Sequence, residues 1–126
     1  MAGYANRVVR IGFPHLTEPD QPELFVTIKN PRVIPPDEFA VYDMELDANG
    51  VPVDKQKAAE RTAEIIAKLV VAWRMYDASD FQVDENGEPL DQQPLGLPAT
   101  PELVRRLPSA AILELNQVIG EAMNPQ

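Results

Sequence analysis

The hydrophobic pattern changes period once along the chain, near Asp54, and this change limits the fold more than any other feature. Ahead of it, Leu24, Val26 and Ile28 alternate with Glu23, Phe25, Thr27 and Lys29, the two-residue period of a strand with one face buried. Arg7 to Phe13 is a second run rich in β-branched residues and reads as another strand. Prolines 14, 19 and 22 interrupt the connection between the two runs. Phe39 to Leu46 alternates again, and Asp47-Ala48-Asn49-Gly50 supplies an Asn-Gly turn that leads to a short edge strand, Val51-Pro52-Val53.

Beyond Asp54, apolar positions recur every three or four residues at Ala59, Thr62, Ala63, Ile66, Leu69, Val70 and Trp73. This spacing predicts a helix over 55–75 with Asp54 as its N-cap and Trp73 packed in the core beside Ile66, Leu69 and Val70. Residues 77–99 read as a loop rich in Pro, Gly and Asp. Thr100-Pro101-Glu102 then has the form of a helix start: a capping hydroxyl, a proline at the first position and an acid in the first turn. A short helix to about Arg106 and a longer one over 109–123, apolar at Ala111, Ile112, Leu115, Val118, Ile119, Ala122 and Met123, complete the chain. The expected fold is α+β, a single domain over 1–126: a small antiparallel sheet from a strand-rich part, 1–53, packed with about three helices from a helix-rich part, 54–126.

Charge and composition narrow the chemistry. The net charge of −9 is concentrated: 35–54 and 77–93 each carry six carboxylates and no Lys or Arg. Such a field repels phosphate backbones and anionic lipid, which argues against nucleic-acid and membrane partners and favours solvated loops. The sequence has no cysteine, so disulfides, thiolate nucleophiles and Cys-based metal sites are excluded. The first residues lack the pattern of a signal peptide and the apolar run Leu69 to Trp73 is too short to span a bilayer, so the expected location is the cytoplasm.

No catalytic, cofactor-binding or metal-binding residues are predicted. His15 is the only histidine, and no motif sets Ser79, Ser109 or a threonine beside it as a nucleophile. Asp84-Glu85-Asn86-Gly87 and the Asn49-Gly50 turn resemble part of a calcium loop. With the glycine at loop position six, however, the first and last ligand positions fall on Gln82 and Gln93, or on Glu45 and Gln56, so the bidentate glutamate is missing. The carboxylates lie in polar segments where nothing desolvates them, and the glycines are too scattered for a phosphate-binding loop. Binding to another protein is the class of function that remains.

The order of motifs adds a more specific expectation. FVTIKNP at 25–31, the run Val70-Val71-Ala72-Trp73-Arg74-Met75-Tyr76-Asp77, DENGEPL, a Pro-Leu-x-Leu-Pro stretch, TPELVRRLP and a closing Glu121-Ala122-Met123-Asn124-Pro125 follow one another. This arrangement resembles the tail assembly chaperones of long-tailed, siphovirus-type bacteriophages. The resemblance implies a non-enzymatic protein of the bacterial host cytoplasm that binds the tape measure protein, and with it the tail tube protein, during tail assembly. The same composition also fits a structural virion protein, such as a head-tail completion or minor tail component. Absence from purified particles distinguishes the chaperone from the structural part.

Overall fold

The computed structural model describes residues 2–35, 48–49 and 55–123. The run at Phe39 to Leu46, the return at Val51 to Val53 and the Asp54 cap lie outside the described residues; Ala48 and Asn49 form an exposed turn.

Among the described residues three strands form one antiparallel sheet: β1 (Val8–Gly12), β2 (Phe25–Lys29) and β3 (Val70–Arg74), with β2 in the centre. Three α-helices among the described residues accompany it: α1 (Lys55–Leu69), α2 (Pro101–Val104) and α3 (Ser109–Met123). The fold is thus a small α+β architecture, as the change of period predicts. The β1–β2 register aligns Ile11 with Val26 and Val9 with Ile28, and β3 extends these rows with Trp73 and Val70. All of these except the half-buried Val9 are buried, so the two-residue alternation of the sequence becomes one apolar face of the sheet.

The third strand departs from the sequence expectation. Residues 55–75 are not one helix: α1 stops at Leu69 and the chain continues without a loop into β3. Helical spacing holds for Ala63, Ile66 and Leu69, all buried, whereas Ala59 stays exposed. From Val70 onward the free edge of β2 accepts the backbone, and the β-branched pair Val70-Val71 suits an extended chain better than a helix. Thr27 pairs with Ala72 and Ile28 with Val70, so Val71 is an extra residue in the ladder. That bulge brings both Val70 and Trp73 to the core side while Val71 faces solvent. The sheet therefore draws one strand from the part of the chain read as helix-rich.

α1 packs on β2 and against α2, and α3 lies near the 3-10 turn at Pro31–Val33, where an Arg32 Nη2 donates to the Glu121 carbonyl at 3.4 Å. α2 begins as its sequence predicts: the Thr100 hydroxyl accepts the Leu103 N–H at 3.2 Å, with Pro101 in the first turn. It is shorter than expected, ending at Val104 before Leu107 turns into the core. α3 spans 109–123, with Ala111, Leu115 and Ile119 buried on its inner side. No helix among the described residues is long and apolar enough to cross a membrane.

Candidate functional site

A surface groove of about 700 Å³ lies between the β1–β2 connection and the loop that follows β3. Its near wall runs from Leu16 to Leu24. This wall is fixed from inside: the Phe13 N–H donates to the Leu24 carbonyl at 2.8 Å, the Thr17 hydroxyl donates to the Phe13 carbonyl at 2.8 Å, and the same hydroxyl oxygen accepts the Leu24 N–H at 3.0 Å. Three prolines interrupt this connection, yet each of these backbone groups has a partner.

The far wall is a small hairpin around DENGEPL. Val83 bridges to Pro89, the Leu90 N–H donates to the Gln82 carbonyl at 2.8 Å and the Asp84 N–H to the Glu88 carbonyl at 2.9 Å. The Asp84 carboxylate accepts the N–H groups of Asn86 at 2.8 Å and Glu88 at 3.0 Å, and Gly87 takes φ +78°, a backbone conformation that favours glycine. This oxygen-rich turn thus spends Asp84 on its own backbone. Among the described residues no three His, Asp or Glu side chains converge on a common point as metal ligands would.

Two anchors hold the far wall to the body. The Trp73 indole N–H lies 3.2 Å from the Leu95 carbonyl and 3.1 Å from that of Gly96, and Leu95 N–H donates to the Met75 carbonyl at 2.9 Å. Trp73 is 8% exposed, so the expected core packing is present, with its polar edge spent on the returning chain. The second anchor is Asp77, the one buried charged side chain among the described residues. Its carboxylate accepts the Ser79 hydroxyl and N–H and an Arg106 Nη1 at 2.9 Å; Arg106 also donates to Glu102 at 3.1 Å, and its carbonyl accepts the Ala78 N–H at 2.7 Å.

The Ser79 hydroxyl bond, with further help from the Ser79 N–H and Arg106, holds the Asp77 carboxyl below its ordinary value of 3.8 against the opposing effect of burial. A depressed carboxyl pKa stabilises the fold above the unfolded value and loses that contribution as pH falls through the folded value. Asp77→Asn is therefore expected to unfold more readily than the wild type at pH 7. The gap should narrow as pH drops below about 4, which urea titrations across pH would measure. A gap independent of pH between 7 and 3 would show that the Asp77 charge contributes nothing.

Apolar groups that water reaches share the groove's lining with polar and charged ones. Phe81 is 72% exposed, Leu90 45% and Tyr76 40%, facing Leu16 and Leu24. Glu18, Asp80 and Asp91 stand among them with a single cation, Arg74. That cation is engaged: its guanidinium lies 5.6 Å from the Phe25 ring centre and donates to the Glu23 carbonyl at 3.4 Å. On the solvent side of the sheet Arg10 covers the same ring at 4.5 Å and reaches Glu23 at 4.0 Å, so both arginines of this face have local partners.

His15 is exposed, with its ring edge-to-face to Phe13 at 6.2 Å. It belongs neither to the groove nor to any pairing with Ser79 or Ser109; Ser79 serves Asp77 instead. From sequence alone, 77–99 reads as a loop, and no binding motif marks Phe81, Leu90 or the adjoining Tyr76. Their signal was present in the chain as large apolar residues set within an acidic, turn-forming stretch. No family model matches the chain, and neither known proteins nor solved structures include a significant match to it.

Proposed function

We propose that this chain is a tail assembly chaperone of the long-tailed bacteriophage type, working in the host cytoplasm. It binds the tape measure protein, and through it meets the tail tube protein, without catalysing a reaction. The observation that carries a protein-binding role is the groove, with exposed aromatic and aliphatic side chains on a hairpin fixed by its own hydrogen bonds. Exposed apolar groups on a preorganised support favour binding, because little conformational freedom is lost when a partner covers them. The order of sequence motifs supplies the choice of partner.

Co-expression with the tape-measure-like product of a neighbouring gene tests the reading. The client is expected in the soluble fraction and in pull-downs only when this chain is present. Raising salt from about 0.05 to about 0.5 M shortens the Debye length from roughly 14 to 4 Å, and a complex held mainly by apolar contact persists through that change. Loss of the complex at high salt overturns the apolar contact, and no complex at either concentration overturns the chaperone reading. Recovery of the protein from purified particles would favour a structural virion part instead.

A further inference from the structure

The groove's lining specifies the charge of what it accepts. Apolar side chains stand on both walls, Leu16 and Leu24 on one and Phe81 and Leu90 on the other, so an inserted side chain would be desolvated from two sides. Between and beside them are Glu18, Asp80 and Asp91, and among the described residues none of these carboxylates is paired with a cation. The single arginine of the lining is held by Phe25 and Glu23. The hairpin that carries Phe81 also carries Glu85 and Glu88, and its segment, 77–93, has no Lys or Arg. An acidic segment entering here would meet like charge on both walls.

We propose that this groove seats a basic peptide segment of a protein partner: an aromatic or aliphatic side chain enters beside Phe81 and Leu90, and Lys or Arg residues on either side of it reach Glu18, Asp80 and Asp91. The apolar anchor supplies most of the affinity, and the carboxylates select the partner's charge and speed its encounter. The same field disfavours a second copy of this chain entering through its own acidic loops. The assignment rests on the reading of the groove as the protein-binding surface and adds the chemistry of the bound segment.

An NMR titration of the full chain with two synthetic peptides tests it, each about 15 residues long with the same Trp and Leu anchors, one flanked by Lys and Arg and the other by Glu. The basic peptide is expected to bind at least about tenfold more tightly at low salt, since charge complementarity discriminates between otherwise equal segments. Amide shifts should concentrate in 16–24 and 80–92. Phe81→Ala with Leu90→Ala should weaken binding by about thirtyfold or more, as removal of anchor contacts does, while the melting temperature stays within a few degrees because both side chains are exposed. Asp80→Asn with Asp91→Asn should reduce the preference for the basic peptide without moving the shift map.

Equal binding of the two peptides, shifts centred on the Arg10–Phe25–Arg74 face, or no shifts at about 1 mM peptide, a concentration at which even weak association is visible, would overturn the proposal. The co-expression test separates the two readings. If the Phe81→Ala, Leu90→Ala variant still retains the tape-measure-like client, the groove assignment fails and the chaperone reading stands. If the wild type retains no client, the chaperone reading fails and the peptide map decides the groove.

Discussion

Trp73→Ala is expected to lower unfolding free energy by about 3–5 kcal/mol, the range for removing a large aromatic from a packed interior. Trp73 is 8% exposed on β3, directly across from Val26 in the central strand. Truncation empties the end of the Ile11–Val26–Trp73 row and also removes the indole N–H shared by the Leu95 and Gly96 carbonyls. Trp73→Phe keeps a six-membered ring but removes the indole N–H and part of the buried volume, so an intermediate loss of about 1–3 kcal/mol is expected. Because Trp73 is the only tryptophan, urea unfolding should be followed by far-UV circular dichroism. A loss below about 1 kcal/mol for Trp73→Ala would show that the side chain contributes little packing.

The substitution also has a local consequence. The returning chain at 93–96 is held to the end of β3 by the indole and by the Asp77–Gln93 and Leu95–Met75 backbone bonds. Releasing the indole should speed hydrogen exchange at the Asp77 and Leu95 amides beyond what the global loss of stability accounts for. The groove's far wall directly precedes this segment in the chain, so peptide binding should weaken in Trp73→Ala even under conditions where the variant remains folded.

How much of this was legible in the sequence depends on the range of the interactions involved. β1, β2, α2 and α3 are set by local signals, namely alternation, a capping threonine with proline and a three-to-four spacing, and each appears within a few residues of its expected place. The end of α1 is different. Val70 and Trp73 fit the helical period by position alone, and only the unpaired edge of β2, more than forty residues away in sequence, draws them into a strand. Tertiary pairing overrides a weak local preference there. Charge placement also failed to reveal the roles of individual carboxylates. Asp77, Asp80 and Asp84 occupy one acidic loop, yet Asp77 anchors Arg106, Asp84 caps a turn and Asp80 lines the groove. Which of them a cation meets is decided by chain reversals at 77–80 and 84–88 that composition does not specify.

Phe13 provides the second large effect. Its ring is fully buried at the point where β1 gives way to the 3-10 turn at Pro14–Leu16, and its backbone joins three partners: its N–H donates to the Leu24 carbonyl, and its carbonyl accepts the Leu16 N–H and the Thr17 hydroxyl. Phe13→Ala leaves those backbone groups in place and removes only the ring, so the expected loss of about 3–5 kcal/mol is a cavity cost rather than a broken turn. His15, two residues on, is exposed and contributes only its edge-to-face contact, so His15→Ala should change stability by no more than about 1 kcal/mol. The pair is informative because both aromatic rings sit beside the same proline while only one is inside. Parallel urea titrations would give the two values. A loss below about 1 kcal/mol for Phe13→Ala, or a larger loss for His15→Ala than for Phe13→Ala, would overturn this account of how the groove's near wall is held to the core.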